Sequence, residues 1–391
     1  MLSTIRSLLK GKPSSLPCFN RKYSTSTVPS LAILDDYLSI SKPHFKNIAP
    51  SNLRIETFKS HFPNTTPEQR QALIETLRPF NAISTMRERT SFNSSLLQEL
   101  PNLKLLLCTG TQFETFDLKA AKDLGIKVVA APGKGRTDQA VSTRTTVQDI
   151  KKGQMHPATH HTWAMLLALA RNISSDDAAI KAGGWQTDMA VGLTGKTLGI
   201  VGMGRLGAAV ARIGILAFGM KVVCWSSSLE QTKADEMAIM LGLPVENEFG
   251  KKTFTVVKKS ELFQEADVVS LHYVLSERSR GIVGTDEFAV MKKDALLVNT
   301  SRGPLINETA LLDAVRNGRI RGVALDVFEM EPLPTDSPWR TEDWGRGGRS
   351  RVLLTPHMGY VEEGIMNKWY AETAENVERW LAGEELLHQL V

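Results

Sequence analysis

The feature that most constrains the fold is a repeated alternation of short apolar runs with longer segments of helical period. The first series of strand-like runs comprises LAIL (31–34), LRIETF (53–58), NAIST (81–85), KLLLC (104–108) and IKVVA (126–130). Segments with helical spacing, such as PEQRQALIETL and DLKAAKDLG, lie between them. Strands that alternate with helices form a parallel sheet covered on both faces, so this part of the chain predicts an α/β domain.

A second and more apolar series of strand-like runs follows. It comprises TLGIVG (197–202), KVVCW (221–225), ADVVSLH (266–272), ALLVN (295–299), GVALDVF (322–328) and VLLT (352–355). Helical segments such as LGAAVARIGILAFG separate these runs, and 391 residues are enough for two domains. We therefore predict two doubly wound parallel-sheet domains, connected near the helical segment HHTWAMLLALARNI.

The net charge of +5 is concentrated at the start of the chain. Five basic residues and no acidic residue occur among residues 1–23, and the first carboxylate is Asp35. This basic, Ser-rich and amphipathic composition predicts a mitochondrial presequence over residues 1–23 and a location in the matrix, with a cytoplasmic location as the alternative. The remaining 42 of the 47 basic residues balance the 42 acidic ones. We therefore expect no nucleic-acid partner.

The lengths of the apolar runs and the spacing of the cysteines argue against a membrane protein and against a protein built on metal sites or disulfides. No apolar run reaches the ~18 residues expected of a membrane-spanning helix, so we expect no membrane partner. The three cysteines, Cys18, Cys108 and Cys224, lack the spacing of metal ligands or of a disulfide framework. His156 and His160 are four residues apart, but no cysteine or acidic residue accompanies them, and we expect no metal site.

A glycine motif opens the second series of runs. Its three glycines follow the run TLGIV directly and precede a helical segment. In this context the first glycine permits a tight turn, the second lets the backbone approach a pyrophosphate, and the third allows close packing of helix on strand. Amides at the start of the helix then bind the phosphates. The predicted dinucleotide site comprises Gly202, Gly204, Arg205, Leu206 and Gly207.

The end of the next run, KVVCW, bears on the choice of nucleotide. An NAD site usually places an acidic residue about 20 residues past the glycines, where it binds the ribose hydroxyls. Here Ser226 and Ser227 follow the run, and no carboxylate stands there to repel a 2′-phosphate. We predict an NAD(P)(H) site that includes both serines and favours NADPH.

Three polar residues follow the last three runs of the second series. Arg302 follows ALLVN, Glu331 follows GVALDVF and His357 follows VLLT. Ligands of a doubly wound sheet bind outside the carboxyl ends of its strands. All three side chains should therefore lie on the edge that holds the dinucleotide, which predicts a reaction site.

The chemistry of these side chains suits the reduction of a 2-keto acid. His357 can donate a proton to a developing alkoxide, and Glu331 would orient the ring and stabilise its protonated form. Arg302 offers a planar fork for a carboxylate and a hydrogen bond to the neighbouring carbonyl. Asp326, within GVALDVF, is predicted to hold the nicotinamide carboxamide.

The motifs VNTSRG, ALDVFEMEP and LLTPHMGY, together with the glycine motif, resemble the D-isomer-specific 2-hydroxyacid dehydrogenase family. The resemblance extends from Leu31 onward and is to glyoxylate/hydroxypyruvate reductase-like members, especially fungal homologues with stretches like STMRERT and WYAETAENVERW. It implies Arg302 as the substrate arginine, Glu331 as the pairing acid and His357 as the general acid/base. It also implies Thr300 as a cofactor contact, and a homodimer.

The same resemblance implies that a nucleotide domain is inserted into a discontinuous catalytic domain. Residues 31–157 and 358–391 would form a flavodoxin-like substrate domain, and residues 158–357 a Rossmann domain for NAD(P). The implied catalytic cleft lies between domains that close over the substrate. Formate dehydrogenases of the superfamily carry Gln in place of Glu331, so that activity is not expected. The added regulatory domain of many phosphoglycerate dehydrogenases is not expected either.

The carboxylate-binding loop of the family resembles AGxGxD, and the matching stretch here is TGTQFE. Gly110 is kept, whereas Gln112 replaces a glycine. The backbone amides of Gly110 and Thr111 are predicted to bind the substrate carboxylate. Arg87 follows the run NAIST, where it either reaches the substrate or forms a surface ion pair with Glu88.

The polar segment Arg136–Met155 is longer than the corresponding loop of the family. A long loop without secondary structure is uncommon inside a compact domain. Three interpretations are open: a lid insertion, a flexible excursion, or retained intron sequence in the gene. Tryptic peptides from this segment of the native protein would exclude the last.

One function of another class competes with an enzyme. The same fold serves corepressors that respond to NAD(H), and these can keep the catalytic trio. A dinucleotide-sensing binding protein without significant turnover is therefore the alternative to a dehydrogenase. The presence or absence of keto-acid reduction separates the two.

Overall fold

The computed structural model describes residues 28–63, 66–138 and 156–391. The predicted presequence, residues 1–23, and most of the long polar segment lie outside the described residues. The chain divides into two compact units, the first formed by residues up to Arg136 and by Asn367–Val391, and the second by Thr137–Met366. The division after Arg136 precedes the predicted domain boundary at 157/158, and the division after Met366 follows the predicted boundary at 357/358. The functional domain boundaries stay a prediction.

The first unit contains a five-stranded parallel sheet in the order β2-β1-β3-β4-β5. This is the strand order of flavodoxin-like doubly wound folds, as expected, with the reversal between β1 and β3. The strands are β1 (Ser30–Ile33), β2 (Arg54–Thr57), β3 (Ala82–Thr85), β4 (Leu105–Thr109) and β5 (Lys127–Ala131). The helices are Pro67–Leu77, Ser94–Leu97 and Leu118–Asp123, with a 3₁₀ turn at Lys42–Phe45.

The helix Pro67–Leu77 illustrates how local sequence defines an element of this unit. Thr66 accepts a hydrogen bond from the Gln69 amide, and the Gln69 side chain accepts one from the Thr66 amide. This reciprocal capping box satisfies two amides that the first turn of a helix leaves without partners. Leu73 and Leu77, one turn apart, are then buried against the apolar core of the unit.

The second unit contains a seven-stranded parallel sheet in the order β12-β11-β10-β9-β6-β7-β8. The reversal lies between β6 and β9, as in Rossmann folds. The strands are β6 (Thr197–Val201), β7 (Lys221–Trp225), β8 (Phe254–Val256), β9 (Val268–Leu271), β10 (Leu296–Asn299), β11 (Gly322–Leu325) and β12 (Arg351–Leu354). The helices are Pro157–Ala170, Ile173–Lys181, Arg205–Phe218, Gln231–Met240, Lys259–Glu265, Thr285–Val290, Glu308–Arg316 and Pro338–Thr341.

The strands of the second sheet are apolar on both faces because helices cover both. In β10, Leu296 and Val298 point into one hydrophobic cluster and Leu297 into the other. This period of two is expected for successive residues of a strand. The continuous apolar runs of the sequence were correctly interpreted as strands of a parallel sheet covered on both faces.

The edge strand β8 was not predicted from the sequence. It has three residues and lies between the stretches GKKT and VKK, each of which contains two lysines. Its pairing with β7 supplies hydrogen bonds that no local pattern of its own would indicate. A strand of this length at a sheet edge carries too little periodicity to be recognised.

The chain returns to the first unit within the helix Glu363–Ala382, which has 20 residues. This helix carries several acidic and basic side chains. Within the described part of the chain, no helix combines the length and the apolar character needed to cross a bilayer.

Candidate active site

The glycine motif forms the turn between β6 and the helix Arg205–Phe218. Gly202 has φ +98°, in the left-handed region that favours glycine, and a Cβ there would lie 2.5 Å from the carbonyl oxygen of His272. A Cβ on Gly207 would lie 2.3 Å from the carbonyl oxygen of Gly202. Backbone packing therefore requires glycine at both positions.

Gly204 differs from the other two glycines of the motif. It has φ −88°, which any residue adopts, and a Cβ there would meet nothing within 4 Å. It precedes Arg205 and Leu206, the first residues of a 14-residue helix. Open space beside the N-terminus of this helix fits the approach of a pyrophosphate. The described residues therefore suit the predicted dinucleotide.

The two serines after β7 are hydrogen-bonded to neighbouring loops. Ser226 Oγ accepts from the amide of Met203 at 3.2 Å, which connects this loop to the glycine turn. Tyr273, after β9, donates its hydroxyl to Ser227 Oγ at 2.8 Å and accepts from the Ser227 amide at 3.1 Å. The Tyr273 ring stacks on Trp225, with centroids 5.7 Å apart. The sequence analysis missed Tyr273, because only the folded sheet brings β7 and β9 ends together.

The loops after β10 and β11 contact each other through Gly303. A Cβ on Gly303 would lie 2.0 Å from the backbone of Phe328, so only glycine allows this approach. Asn299 orders the first loop, since its side chain donates to the carbonyl oxygen of Arg302 at 2.9 Å and accepts from the Ser301 amide at 3.0 Å. The Arg302 guanidinium is partly buried and donates to the Ser301 carbonyl at 2.9 Å.

His357 and Glu331, predicted as a pair, are in contact. His357 Nδ1 lies 2.5 Å from Glu331 Oε2, and the side chains are 17% and 30% exposed. The other carboxylate oxygen of Glu331 accepts from the Phe328 amide at 2.9 Å. Because Nδ1 faces the carboxylate, Nε2 lies on the opposite side of the ring. The Tyr360 ring packs edge-on against the imidazole, with centroids 5.4 Å apart.

Asp326 is fully buried after β11, and its carboxylate accepts hydrogen bonds from the chain. Oδ1 accepts from the Thr355 hydroxyl at 2.6 Å and the Met358 amide at 2.7 Å, and Oδ2 accepts from the Gly359 amide at 2.9 Å. Burial acts to raise its pKa, but hydrogen bonds from His161 and Thr355 hold that pKa below its ordinary value. The predicted contact with the nicotinamide carboxamide stays a prediction, and in this structure the carboxylate is directed into the protein.

Thr300, also predicted to contact the cofactor, is hydrogen-bonded to a helix. Its hydroxyl oxygen lies 2.7 Å from that of Thr162. Thr162 belongs to the helix Pro157–Ala170 and donates its own hydroxyl to the Ala158 carbonyl at 2.7 Å. Thr300 is therefore the donor in the pair, and its cofactor role stays a prediction.

In the first unit, Arg87 lies beside Gly110 at the carboxyl ends of β3 and β4. A Cβ on Gly110 would lie 3.5 Å from Arg87 Cγ, and Gly110 has φ +85°. Arg87 itself has φ +53°, which is unusual for a residue with a side chain. Its Nε lies 3.4 Å from Glu88 Oε2, so the ion pair weighed as the alternative is present.

The two amides predicted to bind a carboxylate have different partners. The Gly110 amide donates to the Ala131 carbonyl at 3.0 Å, in an isolated antiparallel bridge just past the end of β4. The Thr111 amide donates to the side-chain oxygen of Gln112 at 3.3 Å, a longer bond to a movable group. Because one N–H makes one strong hydrogen bond, the Gly110 amide is already used within the backbone. Thr111 remains as the amide predicted to bind the substrate carboxylate.

A cluster at the carboxyl ends of β1 and β3 was missed. Asp35, buried and with φ +56°, accepts from the Tyr37 hydroxyl at 3.0 Å and lies 3.2 Å from His61 Nδ1. Arg89 donates to the Tyr37 hydroxyl oxygen at 2.9 Å. Burial, followed by the Asp35 charge, raises the pKa of Tyr37 to about 12. The cluster lies where the strand order of the first sheet reverses.

Metal and thiol chemistry have no visible basis in the described ranges. Residues 28–63, 66–138 and 156–391 contain no group of three or more His, Cys, Asp or Glu side chains that could hold a metal ion. Burial raises the pKa of Cys108 and of Cys224 to about 12. Both side chains are therefore neutral thiols at physiological pH, and neither is an activated nucleophile.

Together, the edge of the second sheet provides an open helix N-terminus for phosphates and an imidazole–carboxylate pair for proton transfer. An arginine lies on the adjacent loop, next to the Gly303–Phe328 contact. These groups follow β6, β10, β11 and β12. Such a set can hold a dinucleotide, bind a carboxylate and deliver a proton to an oxygen that becomes an alkoxide.

Comparison with known proteins identifies relatives of this arrangement. Residues 163–359 match the family model described as D-isomer specific 2-hydroxyacid dehydrogenase, NAD binding domain. A glyoxylate reductase of Aeropyrum pernix is 31% identical over 81% of this chain and 85% of its own length. A D-3-phosphoglycerate dehydrogenase of Methanocaldococcus jannaschii is 32% identical over 81% of this chain but 52% of its own length. The chain thus spans about half the length of this second relative.

A solved structure shares the fold over most of the chain. The phosphoglycerate oxidoreductase from Vibrio Cholerae o395 has 29% sequence identity and a TM-score of 0.71. The alignment covers 91% of this chain and 100% of the other chain. A solved structure described as an oxidoreductase therefore has the same fold.

Proposed function

The chain belongs to the D-isomer-specific 2-hydroxyacid dehydrogenase family, and from this premise we propose that it transfers a hydride between NAD(P)H and a small 2-keto acid, giving a D-2-hydroxy acid. The observation that carries the proposal is the 2.5 Å contact between His357 Nδ1 and Glu331 Oε2. This pair stands at the carboxyl edge of the sheet whose glycine turn suits a dinucleotide.

In the proposed reaction His357 is the proton donor. Glu331 accepts a hydrogen bond from Nδ1–H of His357. The other ring nitrogen, Nε2, is therefore the one that faces the substrate oxygen. The carboxylate stabilises the protonated ring before transfer and keeps its orientation afterwards. The Phe328 amide holds the second oxygen of Glu331 and thus limits rotation of the carboxylate. When bound, the dihydronicotinamide supplies the hydride to the keto carbon.

Arg302 is the proposed partner of the substrate carboxylate. Its planar fork can bind a carboxylate through two parallel hydrogen bonds, and its charge polarises the neighbouring carbonyl. Its position is set by Asn299, which holds the loop on both sides of Ser301. Thr111 and Arg87 of the first unit are proposed as further contacts of the substrate.

The proposed substrates are glyoxylate and hydroxypyruvate. Two observations support them: the glyoxylate reductase of Aeropyrum pernix covers most of this chain, and the motifs resemble this branch of the family. The test is oxidation of NADH and NADPH with glyoxylate, hydroxypyruvate, pyruvate and a branched keto acid, followed by chiral analysis of the product.

The proposal predicts turnover with a small keto acid and a product of D configuration wherever the product is chiral. An L product would contradict it. So would silence across the panel by a chain that still binds the nucleotide. That second result would favour a dinucleotide-sensing protein, the alternative considered from the sequence.

We further propose that the site prefers NADPH. No carboxylate directly follows β7, where Ser226 and Ser227 stand at the position that would face a 2′-phosphate. The Tyr273 hydroxyl fixes Ser227 and thereby orients this loop. The ratio of kcat/KM for NADPH to that for NADH measures the preference, and a ratio below one would refute it.

A homodimer is a separate proposal, made by resemblance to the family. Sedimentation of the purified protein tests it directly. A mass near twice the 43.1 kDa of the full chain, allowing for any cleaved segment, is expected, and a monomer at micromolar concentration would contradict it.

Mitochondrial location is the last proposal and rests on residues 1–23, which contain five basic residues and no acidic residue. Import of the full chain by isolated mitochondria, with cleavage near residue 23, is the expected result. A chain that stays outside the organelle and uncleaved would support the cytoplasmic alternative.

A further inference from the structure

The turn Thr355–Gly359, here called the histidine-bearing turn, holds the proposed proton donor in an uncommon conformation. His357 has φ +56°. Residues with side chains rarely adopt this region, and they keep it only where surrounding contacts impose it. The His357 amide donates to the Asp326 carbonyl at 2.7 Å. Asp326 therefore fixes the backbone of the histidine directly.

The carboxylate of Asp326 fixes the rest of the same turn. It accepts from the hydroxyl of Thr355 and from the amides of Met358 and Gly359, at 2.6, 2.7 and 2.9 Å. These donors lie on both sides of His357 in the chain. A buried carboxylate enclosed in this way resists any rotation of the turn, because each lost bond would leave a charged acceptor unsatisfied.

His161 supplies a further hydrogen bond to the same carboxylate. Its Nε2 lies 3.0 Å from Asp326 Oδ1 and 3.1 Å from Thr355 Oγ1. His161 is part of the helix Pro157–Ala170, whose Trp163 and Leu166 are buried in the core. The His161 ring therefore extends from a helix that is packed in the core. It contacts Asp326 and Thr355, the two side chains that hold the histidine-bearing turn.

The geometry also decides which nitrogen of His161 carries a proton. An ionised carboxylate only accepts hydrogen bonds, and the single proton of Thr355 is directed to Asp326 at 2.6 Å. Nε2 must then be a donor, shared between Asp326 Oδ1 and Thr355 Oγ1. This charge-assisted bond is stronger than one between neutral groups.

We propose that His161 is a positioning residue of the reaction: through Asp326 and Thr355 it keeps the histidine-bearing turn in the conformation that presents His357 to Glu331. The inference rests on the proposed function only in so far as His357 is the proton donor. It gives a role in the reaction to a histidine that would otherwise be interpreted as a structural residue, hydrogen-bonded beside the core.

Two substitutions and a control test the role by kinetics. His161→Leu removes the donor, whereas in His161→Gln the side-chain amide nitrogen replaces Nε2–H. We expect His161→Leu to lower kcat about 10- to 100-fold, because small displacements of a catalytic group have effects of this size. KM for the keto acid and Kd for the nucleotide should change less than about twofold, and His161→Gln should restore most of kcat. His160→Leu, an exposed neighbour on the same helix, should match the wild type.

A spectroscopic readout tests the positioning without turnover. The chain contains 8 histidines, so ring-labelled protein gives a resolvable set of imidazole resonances, and His357→Ala identifies the His357 signal. In His161→Leu this signal should shift, because looser contact with Glu331 alters the hydrogen bonding of the ring. His160→Leu should leave the signal unchanged.

Three results would overturn the proposal. These are a wild-type kcat in His161→Leu, a loss of kcat that His161→Gln does not restore, or an unmoved His357 resonance in folded His161→Leu. If His161→Leu does not fold, His161→Gln and the His357 resonance in that variant decide. If the wild type reduces no keto acid, the proposed function fails, and the resonance alone then decides whether His161 positions His357.

Discussion

The carboxyl edges of the two sheets are built by different means. At the edge of the seven-stranded sheet, loops are joined through backbone contacts, such as that of Gly303 with Phe328 and that of the His357 amide with Asp326. At the edge of the five-stranded sheet, the cluster of Asp35 and Arg89 is joined through side chains. Backbone contacts demand particular residues at particular positions, and such motifs can be recognised in a sequence. The side-chain cluster of Asp35 and Arg89 left no comparable signature.

The two sheet edges are also expected to contribute differently to the reaction. The second unit holds the dinucleotide turn and the His357–Glu331 pair, so changes there should affect chemistry. In the first unit, Arg87 is paired with Glu88, and the nearby Thr111 amide donates to the Gln112 side chain. Changes in the first unit should therefore have smaller effects, on substrate affinity more than on turnover.

The largest contrast is expected from one substitution made in each unit. Arg302→Lys keeps the charge but loses the fork, and should lower kcat/KM about 100-fold. Arg87→Lys should lower it about tenfold or less. Nucleotide affinity serves as the control and should be unchanged in both. Steady-state kinetics that gave the reverse order would place the main carboxylate contact in the first unit.

The next contrast lies within the glycine motif. Gly204→Ala introduces a Cβ into open space, so the folded state should be unaffected while nucleotide Kd rises about tenfold through a clash with the pyrophosphate. Gly207→Ala should instead lower the free energy of unfolding by about 1–3 kcal/mol. Thermal denaturation and nucleotide titration measure the two effects. Unchanged affinity in Gly204→Ala would argue against a pyrophosphate at this turn.

A smaller effect is expected for Asp326→Asn, and it should depend on pH. At pH 7 the change should cost about 1–3 kcal/mol, since an amide cannot accept all the hydrogen bonds made to the carboxylate. The folded pKa of Asp326 lies below its ordinary value of 3.8. Its contribution is therefore complete above that value and is lost as the pH falls through the folded pKa.

Urea denaturation of the wild type and Asp326→Asn at several pH values measures this dependence. The two unfolding curves should differ most near neutral pH and converge in acid. A difference that stayed constant from pH 7 down to pH 2 would mean that Asp326 does not stabilise the fold through its charge.

The smallest contrast concerns the two buried thiols, one in each unit. Cys108 lies in β4 and Cys224 in β7, and neither reacts as a thiolate while its unit is folded. In a Cys18→Ser background, labelling by a thiol reagent reports local opening. We expect Cys108 to react first, because the described residues of its unit form one hydrophobic cluster and those of the other unit form two. Identical rates would indicate that both units open in a single step.

The sequence predicted both parallel sheets and most of their strands. Hydrophobic runs buried on both faces are long enough to recognise, and the glycine motif and the loops of Arg302, Glu331 and His357 are specific. The short edge strand β8 was missed because three residues carry no usable periodicity. The actual ends of β9 and β11 precede His272 and Asp326, whose side chains belong to loops.

Two contacts between distant residues that belong to no shared motif could not be predicted. Tyr273 reaches Ser227 across 46 positions, and His161 reaches Asp326 across 165. Nothing in either local sequence indicates the other partner. The left-handed conformation of His357 was equally hidden, since it results from contacts with Asp326 and not from the residue type.

The central claim is that His357 delivers the proton in keto-acid reduction. The most direct test is oxidation of NADPH and NADH by the wild type and by His357→Ala with glyoxylate and hydroxypyruvate, with nucleotide Kd measured on the same preparations. The account predicts a fall in kcat of about 10²- to 10⁴-fold with Kd unchanged. A variant that retained a kcat near that of the wild type would contradict it.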